Sequence, residues 1–182
     1  MIFNLPNGLT LLRVILTPVI VLLLFQGEFS WALLVFLIAG LTDALDGFLA
    51  RSLRERTEFG RILDPVADKV LLGSAFFSLA LVGRLPLWLV VVGVGRDVLL
   101  VVGSCVLYAV SGRLGYPPST LGKVSTVLQV LTVLAAMTTV GGSRHLDPLI
   151  WGTAAVTVLS GLDYLYRFAA ELVARSRNAS PA

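Results

Sequence analysis

The sequence predicts an all-α integral-membrane fold. It reads as six transmembrane helices with a short N-terminal interfacial segment, forming a single membrane-embedded domain over residues 1–182. Three observations carry this reading. Hydrophobic residues make up 57% of the chain and charged residues only 14%, whereas a water-soluble domain carries about 25% charged residues. Mean hydropathy is +0.90. Apolar runs recur at lengths near the roughly 20 residues that a helix needs to cross hydrocarbon. A larger core does not explain the charge deficit, because a small domain has too much surface to hide. A bilayer does: outer helix faces meet lipid and backbone groups are satisfied within each helix.

The elements follow in chain order. Residues 2–8 (IFNLPNG) are short and mixed and are expected to lie at the surface as a lead-in. The first span covers about 9–26 and ends at Gln26-Gly27-Glu28. The second runs from Trp31 to about Ala50 and carries Asp43 and Asp46 near its far end. A charged connection from Arg51 to Arg61 leads to a third span over about 62–82, which Gly83-Arg84 breaks before Pro86. The fourth runs from Pro86 to about Val110 with Arg96 and Asp97 inside it. The glycines and paired prolines of SGRLGYPPSTLG mark a loop. A fifth span covers about 122–140, GGSRHLDP returns the chain, and the sixth runs from about Leu149 to Phe168 before a polar tail.

Charge sets the orientation. With both termini inside, the inner side receives most of the cations, including Arg13, Arg51, Arg54, Arg56, Arg61, Lys69, Arg113, Lys123 and Arg167. The outer side receives Arg84 and Arg144. That bias places the termini and the acidic residues on the cytoplasmic side. The net charge of +3 is too sparse and too interrupted by apolar runs for nucleic acid. Anionic headgroups and nucleotide phosphates are the expected partners. Cys105 is the only cysteine, which excludes a disulfide framework. The start MIFNLPNGLTLLR does not read as a cleaved signal and is expected to be retained. Trp31, Trp88 and Trp151 fall near outer boundaries and read as interface anchors. His145 reads as an outer-loop surface residue, and Asp163 as an ion-pair partner of Arg167 one turn away.

The informative stretch is TDALDGFLARSLRERTEFGRILDPVADK, residues 42–69. Asp43 and Asp46 are three apart and Asp64 and Asp68 four apart, so on helices each pair shares a face. The second span leaves the inner side with one pair and the third enters with the other. Gathering four carboxylates near hydrocarbon is costly, and ionisable groups there are usually functional. Mg²⁺ or Mn²⁺, one or two ions, would resolve the repulsion, because both prefer hard oxygen ligands. The structural alternative is a helix cap at Asp64 and Asp68 and ion pairs from Asp43 and Asp46 to nearby arginines. It leaves the two matched acidic faces unexplained.

These residues also resemble the signature of the CDP-alcohol phosphotransferases, D-x2-D-G-x2-A-R-x8-G-x3-D-x3-D. Asp43, Asp46, Gly47, Ala50, Arg51, Gly60, Asp64 and Asp68 fill it without a departure. The resemblance implies that family's six-span fold. It also implies that Asp43, Asp46 and Asp64 are metal ligands, and that Asp68 is the general base and a ligand of a second metal ion. It makes Gly47, Ala50, Arg51 and Gly60 nucleotide-facing. Gly47 and Ala50 leave room on a helix face, although Gly47 equally suits close helix packing. Arg51 offers a phosphate-facing fork, its alternative being an interface anchor.

The activity so implied is transfer of the phosphatidyl group from CDP-diacylglycerol to an alcohol, with release of CMP. Asn4, Pro6, Asn7, Thr10 and Arg13, and the DPVADK segment, are similar to bacterial phosphatidylglycerophosphate synthases, which use glycerol-3-phosphate. Lys123, between Gly122 and Thr126, is then a candidate for the acceptor phosphate, or else an inner-boundary anchor. Arg96-Asp97 with PSTLGKVST looks more like the cardiolipin synthases of the same fold, whose acceptor is phosphatidylglycerol. Arg96 lines the polar cavity in that reading. In a purely structural one the pair orients the helix through neighbours, because adjacent residues point in different directions. Gly93, Gly95 and Gly103 suit tight packing, and the resemblance adds a homodimer in the bacterial cytoplasmic membrane. A divalent-cation transporter is the non-enzyme rival. Acids clustered at one surface beside Gly47 and Arg51 favour a phosphate-bearing ligand over a conduction path.

Overall fold

The computed structural model describes residues 5–53, 58–111, 119–139 and 146–178. Among the described residues the chain is all helical: α1 (Leu5–Phe25), α2 (Phe29–Leu53), α3 (Glu58–Leu81), α4 (Leu87–Ser111), α5 (Thr120–Thr138) and α6 (Asp147–Asn178). Leu87–Leu107, Thr120–Thr138 and Asp147–Glu171 are long and apolar enough to cross a membrane, while Thr10–Phe25 and Phe29–Thr42 are shorter apolar stretches. The expected six helices are present, with two differences at their ends. The lead-in expected over 2–8 is already helical from Leu5, which Pro6 permits because proline is tolerated in a first turn. The last helix runs ten residues beyond Phe168, to Asn178.

The turns have identifiable causes. At the end of α1, Glu28 N–H donates to Leu23 C=O at 2.9 Å and Gly27 N–H to Leu24 C=O at 3.2 Å. At the end of α3, Arg84 N–H reaches Leu79 C=O at 2.9 Å and Gly83 N–H reaches Ala80 C=O at 3.1 Å. Both are Schellman closures, which need a left-handed residue just past the helix. Gly27 and Gly83 supply it, at φ of 78° and 75°. Ser119 caps α5, its Oγ accepting from Gly122 N–H at 3.1 Å.

The chain forms two compact units. The first is Met1–Leu87 with Val133–Ser143. In it α1 packs against both α2 and α3. Ile20 and Leu24 of α1, Ala32, Phe36 and Ala39 of α2, and Ala67, Leu71, Ala75 and Leu79 of α3 are buried. Their three- and four-residue spacing is that of one helix face, and the alanines let backbones approach closely. Leu11, Ile15, Leu22, Leu34 and Leu41 are exposed, as lipid-facing positions should be. Arg84 closes one end, its guanidinium bonding the Thr139 carbonyl and lying 4.0 Å from the centre of the Phe29 ring. A cation there satisfies a carbonyl that the end of α5 leaves without a helical partner.

The second unit is Trp88–Thr132 with Arg144–Ala182. A buried seam of hydroxyls joins α5 to α6. Ser125 and Thr157 Oγ atoms are 2.9 Å apart, Thr132 and Thr153 are 2.8 Å apart, and Gln129 Nε2 donates to Thr157 at 3.5 Å. Helices in lipid gain no hydrophobic driving force from meeting one another, so small residues and interhelical hydrogen bonds hold them. Tyr164 of α6 reaches α4, donating to Leu100 C=O at 3.3 Å and lying 3.2 Å from Ser104 Oγ. Trp88 and Trp151 rings meet at 5.0 Å between centroids, the pairing of two expected interface anchors.

Candidate functional site

The signature divides between two helices of the first unit. Asp43, Asp46, Gly47, Ala50 and Arg51 lie in the last three turns of α2, and Gly60, Asp64 and Asp68 in the first three of α3. The roles expected for the side chains of Asp43, Asp46, Gly47, Ala50, Arg51, Gly60 and Asp64 lie outside the described residues. Asp68 is within them. Among the described residues no group of three His, Cys, Asp or Glu side chains comes together; three of the four signature carboxylates are outside that set.

Asp68 is engaged from α1. The Arg13 guanidinium donates through Nη1 to Asp68 Oδ1, an ion pair across 55 residues of sequence. The two ends differ in surroundings: the Arg13 side chain is 0% exposed and that of Asp68 45% exposed. Arg13 belongs to a buried polar stripe, Thr10, Arg13 and Thr17, on an otherwise apolar helix. Thr17 Oγ1 donates back to Arg13 C=O at 2.9 Å. In the sequence Arg13 stands out only as an inner-side charge and as part of a resemblance. The polar residues three and four apart within an apolar run were the available signal that this face is buried against something polar.

Arg96 and Lys123 belong to the second unit. Arg96 Nη1 donates to Asp97 Oδ1 at 2.7 Å and Nη2 to Ser160 Oγ at 3.1 Å. The expectation that neighbouring side chains diverge is therefore corrected: the long guanidinium stem curls back to the adjacent carboxylate while its other nitrogen crosses to α6. The Arg96 side chain is only 8% exposed. Its Nε is buried without a hydrogen-bond partner among the described residues. The start of α5 lies against it, because a Cβ at Gly122 would come within 2.8 Å of Arg96 Nη2. Lys123, the next residue, is exposed. Arg96 and the α5 N-terminus thus come together, and helix N-termini favour anions. Asp163 pairs with Arg167 at 3.0 Å as expected.

Comparisons with known proteins bear on the chain as a whole. A family model described as CDP-alcohol phosphatidyltransferase matches residues 3–159. The chain is 38% identical over 177 residues to a probable phosphatidylglycerophosphate synthase of Mycobacterium tuberculosis, covering 91% of this chain and 82% of that protein. It is 32% identical over 183 residues to the CDP-diacylglycerol–glycerol-3-phosphate 3-phosphatidyltransferase of Bacillus subtilis, covering 89% of this chain and 93% of the relative. It is also 32% identical over 186 residues to the human cardiolipin synthase (CMP-forming), covering 90% of this chain and 61% of the relative.

Proposed function

This chain belongs to the CDP-alcohol phosphatidyltransferase family, and we propose that it transfers phosphatidyl from CDP-diacylglycerol to glycerol-3-phosphate at the cytoplasmic face of a bacterial membrane. The observation that carries the reading is the half-exposed Asp68 carboxylate, four residues beyond Asp64 on α3 and engaged by a buried arginine. Asp68 takes the proton of an acceptor hydroxyl. The hydroxyl oxygen forms a bond to the lipid-side phosphorus, the bond from that phosphorus to the bridging oxygen of the pyrophosphate breaks, and CMP departs with the electron pair.

The carboxylate donor set fits Mg²⁺ or Mn²⁺, which take hard oxygen ligands. Asp43, Asp46, Asp64 and Asp68 would hold one or two such ions. When bound, the metal supplies charge neutralisation at the pyrophosphate and the CMP leaving group. Gly47, Ala50, Arg51 and Gly60 are assigned to the nucleotide. Arg96 and Lys123 are assigned to the acceptor phosphate, and the buried Arg96 Nε, which has no hydrogen-bond partner among the described residues, supports that assignment. Both termini are placed in the cytoplasm on the positive-inside bias, and a homodimer is the proposed assembly.

Phosphatidylglycerol is the second acceptor to weigh, favoured by the match to a cardiolipin synthase over 90% of this chain. Purified protein given CDP-diacylglycerol and Mg²⁺, with each acceptor in turn, decides between them by the lipid formed. Phosphatidylglycerophosphate supports the leading reading, and cardiolipin with no turnover of glycerol-3-phosphate replaces it. Metal flux into vesicles with no CMP release under any condition would make the chain a transporter instead.

A further inference from the structure

We propose that Arg13 is a positioning residue for the transfer reaction: it sets the orientation of the Asp68 carboxylate and touches neither substrate. The inference rests on the reading of Asp68 as the base that receives the acceptor proton. Three bland roles for an arginine in a first span fit poorly. An interface anchor keeps its charged head in water, whereas the Arg13 side chain is 0% exposed. A phosphate ligand must reach substrate, which the same burial prevents. A counter-ion that neutralises a buried carboxylate does not fit either, since Asp68 remains 45% exposed. The pair thus runs from an enclosed cation to an open carboxylate, and Asp68 is the end of it that substrate can reach.

The geometry also accounts for an arginine at this position. A guanidinium presents its donors in a rigid planar fork, whereas an ammonium is a compact point charge on a flexible stem. Held by the packing of α1 against α3, the guanidinium anchors Oδ1 of Asp68 through Nη1. A proton acceptor in the last step before bond formation gains most from such fixing, because small misplacements of a reacting group cost about 100-fold in rate.

The test uses the full chain in lipid micelles, with CDP-diacylglycerol, Mg²⁺ and whichever acceptor the wild type uses, followed by CMP release. Arg13→Met is expected to lower kcat about 100-fold with KM for both substrates within about twofold, and Arg13→Lys to recover about tenfold of that loss. In an Asp68→Asn background, Arg13→Met should cost much less than it does in the wild type, since the carboxylate it orients is already gone. An Arg13→Met kcat within about twofold of wild type overturns the proposal. So does a loss carried by KM alone, or a loss that persists undiminished in the Asp68→Asn background. If Arg13→Met does not yield folded protein, Arg13→Lys decides: a kcat about tenfold below wild type at unchanged KM supports the proposal, and wild-type kcat overturns it. Asp68→Asn alone separates the two readings. If it keeps wild-type turnover, the assignment of Asp68 as base fails; if it is inactive while Arg13→Met turns over normally, only the positioning role fails.

Discussion

Gly122 of α5 stands where a single added methyl would come within 2.8 Å of Arg96 Nη2, so the cation of α4 lies directly on the backbone that opens α5. The obstructing atom is the far end of a flexible side chain. Gly122→Ala should therefore move the guanidinium off Ser160 rather than unfold the protein. The expected outcome is a thermal midpoint within about 2 °C of wild type and a several-fold rise in KM for the phosphate-bearing acceptor. Steady-state kinetics and a melting curve on the same preparation check both halves.

Gly103 presents the opposite case. A Cβ there would come within 2.7 Å of Tyr164 Cε1 and 2.8 Å of its hydroxyl oxygen, and an aromatic ring held by two hydrogen bonds has little room to yield. Gly103→Ala should destabilise by about 1–3 kcal/mol, the usual cost of overpacking. A thermal melt in detergent against the wild type reads this directly.

The seam between α5 and α6 is also testable. Thr157→Val keeps the shape but removes the hydroxyl that meets Ser125 and Gln129. Membrane hydrogen bonds average about 0.6 kcal/mol, with a maximum near 1.7, so the loss should fall at the upper part of that range. Unfolding in mixed micelles measures it.

Asp68→Asn should reduce CMP release by about 10²–10⁴-fold, the contribution of a positioned base. The variant should still fold, because asparagine keeps the shape and an oxygen for Arg13.

Chelation with EDTA should abolish turnover, and added Mg²⁺ or Mn²⁺ should restore it, while Ca²⁺, larger and with looser geometry, should restore less. CMP release during a metal titration is the measurement. Turnover unchanged by the chelator would remove the metal from the assignment of the four aspartates.

Much of this protein was legible in its sequence, for reasons that are local. Whether a stretch crosses lipid depends on its own length and polarity, so the apolar runs located all six helices. Gly27 and Gly83 marked two helix ends, because glycine alone takes a left-handed backbone without penalty. The register of Asp43 with Asp46, and of Asp64 with Asp68, follows from helical period, and their frame with Gly47, Arg51 and Gly60 placed the chain in its family. Helix limits were less legible. α6 continues past Phe168 into a polar tail, because polarity ends a membrane span without ending a helix.

What only the tertiary structure decided is which polar groups face one another. Arg13 and Asp68 are 55 residues apart, and no local spacing joins them; their meeting depends on α1 packing against α3. Arg96 finds Ser160 on α6 in the same way, through an approach that Gly122 leaves open. Composition, helical period and motif determined where the carboxylates stand along the chain. The packing of one helix on another decided that Asp68 has a buried arginine behind it, because burial and pairing are properties of surfaces brought together, not of any segment alone.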